Sequence, residues 1–116
     1  MRVDVLLITD PEAPALVEAT RAALAAAPPG RVAVQVRAKG APAGALAELA
    51  RTLRPLCRAC GAPMLVNDRV DVAQLVEADG AQLPEGGLAV GEARALLGPE
   101  ALIGRSCHDR AGLEAA

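Results

Sequence analysis

Short unbroken apolar runs alternate with longer amphipathic stretches along the whole chain. The first run, Val3–Thr9 (VDVLLIT), is β-rich, and Asp10-Pro11 stops it and opens a helix. Ala- and Leu-rich sequence from Glu12 to Ala27 predicts that helix, closed by Pro28-Pro29-Gly30. A second strand is expected over Arg31–Val36 and a turn over Gly40–Gly44. The second helix covers Ala45–Cys60, with Pro55 kinking it or marking a fresh start. Gly61-Ala62-Pro63 leads into a third strand, Met64–Val66, and then a short helix, Arg69–Glu77, with Val70, Ala73 and Val76 on one side. A fourth strand over Gly80–Leu83 and a fourth helix over Ala89–Leu97, ended by Gly98-Pro99, precede a fifth strand, Ala101–Gly104. Asp109–Ala115 reads as the start of a fifth helix.

Strict alternation of strand and helix with short links means a parallel sheet with crossover helices. The strands are solid apolar runs, as expected where both faces are buried. An open doubly wound sheet and an eight-fold barrel both fit. No G-x-G-x-x-G follows the first strand, which removes support from the dinucleotide-binding version of the open sheet. A repeat of about 20 to 30 residues suits a (β/α)8 TIM barrel. The expected fold is therefore α/β, with residues 1–116 a single domain spanning the first five βα units of such a barrel. Unclosed, that wall leaves two raw edges and an uncovered apolar face. Either further residues of a longer chain or a second copy, as in a homodimer, is expected to cover it.

Composition narrows the function classes. Hydrophobic residues make up 53% of the chain, with no Phe, Trp or Tyr, so the core is aliphatic. Without aromatic rings there is no stacking platform for single-stranded nucleic acid, and a net charge of −2 argues against a phosphate-backbone binder. No run approaches the ~18 apolar residues of a membrane span, and the first residues lack a signal-peptide plan, so a soluble cytoplasmic protein is expected. Cys57, Cys60 and Cys107 give no disulfide framework. Cys57 and Cys60 form a C-x-x-C near the end of the second helix, where residues three apart share a face. No second Cys/His pair stands at zinc spacing, so both are read as small core residues.

Polar groups at the carboxyl ends of parallel strands are where such folds place chemistry. After the second strand, V-Q-V-R-A-K sets Gln35, Arg37 and Lys39 on one side of an extended chain, an amide and two cations suited to a phosphate or diphosphate. The third strand ends on Asn67 and Asp68. Asp68 is a candidate Mg2+ ligand, since that ion prefers a carboxylate or two plus substrate oxygens. Either residue is also a good N-cap for the third helix. The fifth strand leads to Ser106, Cys107 and His108, where the lone histidine is a candidate general acid/base.

These segments are familiar in combination. V-Q-V-R-A-K, V-N-D-R-V-D-V-A, A-D-G-A-Q-L-P-E, A-R-A-L-L-G and I-G-R-S-C-H resemble, in order and spacing, the thiamine phosphate synthase family, including its TenI-like thiazole tautomerase branch. The resemblance implies a (β/α)8 barrel. Synthases of the family join a hydroxymethylpyrimidine diphosphate to a thiazole phosphate, release diphosphate and use Mg2+. The tautomerase branch aromatises the thiazole phosphate precursor and needs no cofactor. By resemblance, Gln35, Arg37, Lys39, Asn67 and Ser106 bind the phosphate or diphosphate of a small phosphate-ester substrate. Asp68 becomes a Mg2+ ligand, and His108 falls where the tautomerase branch has a catalytic histidine.

One segment departs from the family. Where synthases usually read H-L-G-Q-E-D, this chain reads Gln82-Leu83-Pro84-Glu85-Gly86-Gly87. The usual histidine is Gln82 and the second magnesium carboxylate is Gly87, while Glu85 is two positions off register. The missing carboxylate and the G-R-S-x-H form of the fifth strand lean toward the tautomerase, with the synthase as the alternative. A phosphate-ligand binding or regulatory protein that kept the barrel and lost the reaction is the third reading.

Overall fold

Five short strands pair in parallel in the order in which the chain makes them: β1 (Val5–Ile8), β2 (Val32–Val36), β3 (Met64–Asn67), β4 (Gly80–Leu83) and β5 (Leu102–Arg105). The crossings are helices α1 (Leu16–Ala26), α2 (Ala43–Ala59), α3 (Val70–Leu75) and α4 (Val90–Leu97). The structure, a computed structural model, describes residues 5–9, 15–27 and 31–106. The fifth helix expected over Asp109–Ala115 lies outside them.

Strand order separates the two architectures. A doubly wound sheet reverses its order at a switch point and carries helices on both faces. Here the order never reverses. Leu24, Leu46, Leu53, Val70 and Ala93 of the helices share one cluster with Val34, Val36, Met64, Val66, Ala81 and Leu83 of the strands. Alternate strand residues, Gln35, Asn67 and Gln82, stay out of that cluster and belong to the opposite face. Successive crossovers of one hand add each βα unit to the same wall, which makes a half-barrel.

Solid burial holds for β2, where all five positions are buried, and nearly so for β3 and β4. It does not hold for β1, where Val5 and Ile8 are 56% and 50% exposed. The physical reason is position: β1 is an edge strand with only β2 beside it among the described residues. Among the described residues no helix is long and apolar enough to cross a membrane.

Helix ends differ from expectation in ways that local chemistry explains. α2 starts at Ala43 rather than Ala45, behind Pro42, whose φ of −61° suits a helix entry. It then continues without a break through Pro55, which is exposed, so the carbonyl left without an N–H partner can be met by water. Neither Asn67 nor Asp68 caps α3. Arg69 occupies the N-cap without a side-chain cap bond, and its guanidinium instead pairs with Asp71 at 2.7 Å, which holds the Asp71 carboxyl below its usual range.

The amino-terminal end of the sheet is tied by Asp79. Its carboxylate accepts a 2.7 Å bond from Arg54 Nη1 on α2 and another of 2.7 Å from the Met64 N–H at the start of β3. Its own carbonyl accepts from the Leu102 N–H of β5 at 2.9 Å. Directly after it, Gly80 lies so close to β5 that a Cβ would collide with the Leu102 carbonyl. Nearby, Cys57 is wholly buried in the core and Cys60, at the C-cap of α2, is half-buried against it. The C-x-x-C is thus packing, as expected. Burial pushes the Cys57 thiol up to about 11 from an ordinary 9.0; the Arg54 guanidinium opposes the shift and the Asp79 carboxylate adds to it.

Two outcomes are expected. Asp79→Ala orphans the Met64 N–H and the partly buried Arg54, and should cost roughly 1–3 kcal/mol in urea unfolding, with Asp79→Asn costing less because it keeps an acceptor. Cys57 ionises near 9.0 when unfolded and at about 11 when folded, so the unfolded chain sheds its proton first as pH rises. The stability it contributes is intact below about pH 9 and falls toward pH 11. Cys57→Ala should flatten that part of the stability–pH curve; an unchanged slope contradicts the assignment.

Candidate functional site at the carboxyl ends of the strands

At the other end of the strands the concave face turns polar and forms a cleft of about 430 Å³, within the size range of small-molecule sites. Strand β2 and the residues after it contribute Gln35, Arg37 and Lys39; the end of β3 contributes Asn67 and Asp68. Gln82 and Pro84 enter from β4, and Ser106 from the end of β5. Ile8 supplies an apolar wall on the β1 side. Lys39, Asn67 and Asp68 also border a smaller hollow of about 230 Å³ toward the start of α2.

The buried glutamine has its explanation here. Gln35 is 4% exposed, and its Oε1 accepts a 2.8 Å bond from Asn67 Nδ2 on the next strand. A buried amide needs such a partner. Arg37 is placed by its backbone. The Arg37 N–H donates to Thr9 Oγ1 at 3.0 Å, and the same hydroxyl donates to the Arg37 carbonyl at 3.2 Å. Thr9 thus clips the end of β1 to β2 just where the guanidinium leaves the sheet.

Asp68 is held by its backbone in the left-handed region, at φ 60°. Its N–H donates to the Gln82 carbonyl at 2.8 Å, and the Arg69 N–H turns back to the Asn67 carbonyl at 2.6 Å. Asp and Asn tolerate this conformation better than most residues. The turn leaves the Asp68 carboxylate exposed at the cleft rim, opposite two cations. On the far wall, the Ser106 N–H continues the ladder to the Leu83 carbonyl at 2.8 Å, and Gln82 Nε2 lies 3.4 Å from Ser106 Oγ.

Gln35, Arg37, Lys39, Asn67, Asp68 and Ser106 are therefore brought to one cleft. His108 and Cys107 lie outside the described residues. Thr9 was not singled out from sequence, and Gln82 only as a departure from the family pattern, not as a site residue. The available signals were a threonine closing the first apolar run, and a glutamine inside a buried strand. Glu85 does not line the cleft; its carbonyl accepts a 3.2 Å bond from Arg105 Nη2. Among the described residues Asp68 is the one carboxylate lining the cleft, and no group of three metal-ligating side chains occurs.

The family model for thiamine monophosphate synthase matches residues 5–116. The chain belongs to that family. It is 47% identical over 89 residues to the thiamine-phosphate synthase of Moorella thermoacetica, covering 77% of this chain and 41% of that protein. With the thiamine-phosphate synthase of Gloeobacter violaceus it shares 45% over 102 residues, 88% of this chain and 29% of that one. The solved thiamine phosphate pyrophosphorylase from Pyrococcus furiosus superposes with a TM-score of 0.81 at 36% identity, covering 97% of this chain and 52% of that structure. The chain thus spans about half, or less, of the length of these family members, in agreement with a half-barrel.

Asp68→Asn should keep the left-handed turn and change stability by no more than about 0.5 kcal/mol, whereas β-branched Asp68→Val should cost about 1–2 kcal/mol in the same denaturant titration. Equal stability of the two variants rejects the backbone account of this position.

Proposed function

We propose that this chain carries the diphosphate-binding wall of a thiamine-phosphate synthase. The observation that carries the reading is the convergence of Arg37, Lys39, Asp68 and Ser106 on one cleft, in a chain whose relatives bear the synthase name. Among the described residues, two cations against one carboxylate leave the rim net positive, which suits a multiply charged phosphate ester.

In the proposed reaction the C–O bond between the pyrimidine methylene and diphosphate breaks, and diphosphate leaves with the bonding pair. The thiazole nitrogen then forms the new C–N bond at that carbon. The protein's task is to neutralise charge as it builds on the leaving group. Arg37 and Lys39 supply fixed positive charge, Ser106 a hydroxyl donor, and the Gln35–Asn67 pair a rigid polar floor. The donors present are hard oxygens (the Asp68 carboxylate, the amide oxygens and the Ser106 hydroxyl), and they fit a Mg2+ that also takes ligand phosphate oxygens and keeps several waters. Such an ion, when bound, would add Lewis-acid charge neutralisation, with Asp68 as its protein carboxylate.

The relatives' names favour the synthase over the tautomerase, whose acid/base candidate is His108. A single carboxylate among the described residues of the cleft is the observation that keeps the tautomerase as a second reading, because its chemistry needs no metal. The test is diphosphate release from hydroxymethylpyrimidine diphosphate and thiazole phosphate, with and without Mg2+, alongside calorimetric titration with diphosphate. Mg2+-dependent release supports the synthase. Metal-independent conversion of the thiazole phosphate precursor supports the tautomerase, and tight binding without turnover a binding protein. No diphosphate binding under either condition rejects the phosphate-ester site. Arg37→Ala should weaken diphosphate binding by about 1.5–3 kcal/mol, as for loss of a charged hydrogen bond; unaltered affinity returns Arg37 to the solvated rim.

A further inference from the structure

We propose that Gln82 is a positioning residue for Ser106, and that Gly104 is the notch that seats its amide; the assignment rests on the phosphate-ester reading of the cleft. Gln82 stands in register with Asn67 on β3 and with Gly104 on β5, so its side chain shares the concave face with both. A side chain on β5 would occupy the space into which Gln82 reaches. Gly104 leaves that space open: a Cβ there would overlap Gln82 Oε1 and lie 2.9 Å from its Cδ. The amide therefore lies across the neighbouring strand, with Nε2 3.4 Å from Ser106 Oγ.

That contact has a chemical consequence. A serine hydroxyl has one hydrogen and two acceptor lone pairs, and its hydrogen rotates to suit its surroundings. With Gln82 Nε2 donating to Oγ, the hydroxyl's own hydrogen is left to point into the cleft, as a donor to a ligand oxyanion. An acceptor in place of that amide would draw the hydrogen away. An amide keeps its donor at every pH at which the protein folds. The hydroxyl's orientation then does not depend on a titrating neighbour.

Gly80 on β4 and Gly104 on β5, opposite Leu102 and Gln82 respectively, differ in what they protect. At Gly80 a Cβ would strike backbone, the Leu102 carbonyl, so substitution must disturb the sheet. At Gly104 it would strike the far end of a flexible side chain, which can swing away. Gly104→Ala is thus expected to keep the sheet and to displace only the Gln82 amide.

The experiment titrates Mg2+-diphosphate into the full chain and into Gly104→Ala, Gln82→Ala and the double variant, with thermal melts of each. Each single variant should bind about threefold to tenfold more weakly, the loss of one hydrogen bond. The double variant should bind no more weakly than Gln82→Ala alone, because a shortened residue 82 leaves nothing for the new Cβ to displace. Wild-type affinity in Gly104→Ala, or a double variant that loses the product of both factors, overturns the assignment. A second cycle holds even if Gly104→Ala fails to fold: in a Ser106→Ala background, Gln82→Ala should cause no further loss, and a full loss there refutes action through Ser106. Failure of the wild-type chain to bind diphosphate at all overturns the phosphate-ester reading itself, and this assignment with it.

Discussion

Each strand of this sheet serves two environments, and the one-residue alternation that keeps them apart is the constraint on which the rest depends. Val34 and Val36 must face the helices for the core to close, which obliges Gln35 between them to face the other way. The same holds for Asn67 beside Val66, and for Gln82 between Ala81 and Leu83. A slip of one residue in any strand would bury the amides among aliphatic helices and turn the valines into the cleft. Core and site are therefore not separate designs. The packing of one face sets the register, and register delivers the polar groups of the other.

The two ends of the sheet divide the labour. At the amino ends, Asp79 joins α2, β3 and β5 through its carboxylate and backbone, and Gly80 lets β4 and β5 approach closely. At that end the Asp79 carboxylate is taken up by Arg54 and the Met64 N–H. At the carboxyl ends the charged groups are left exposed toward the cleft: Arg37, Lys39 and Asp68 keep their charges at the rim, while the neutral Gln35–Asn67 pair is sunk beneath them. The order follows from solvation. An amide pair can be buried once its bond is made, whereas isolated charges stay near water until a ligand partners them.

Backbone anchoring at the rim compensates for its exposure. Thr9 grips the Arg37 peptide on both sides, so the guanidinium leaves from a fixed point although the side chain itself is solvated. Asp68 is fixed differently, by a left-handed turn pinned between the Gln82 and Asn67 carbonyls. Strained conformations of this kind persist where neighbouring bonds over-determine them, and they cluster at functional sites. Here the turn aims a carboxylate that a continuing strand or an earlier helix start would have directed elsewhere.

By itself the sequence determined the alternation of strands and helices across the described residues, the parallel sheet and the polar strand ends. Local propensity, Pro/Gly punctuation and solid apolar runs act within a few residues, and are therefore written along the chain. Gln35, Arg37 and Lys39 were legible because period-two spacing puts them on one side of an extended segment. Helix ends were less so: Asn67 and Asp68 look like caps, yet the tertiary turn at Asp68 gave that place to Arg69. Thr9 and the Gln82–Gly104 pairing were not legible as a site, since their meaning lies in contacts between neighbouring strands far apart in sequence. Exposure of β1 likewise depends on what lies beside and above it, which no local pattern records. Tertiary structure alone decided those features, because register and close approach are properties of pairs of strands, and no single strand contains them.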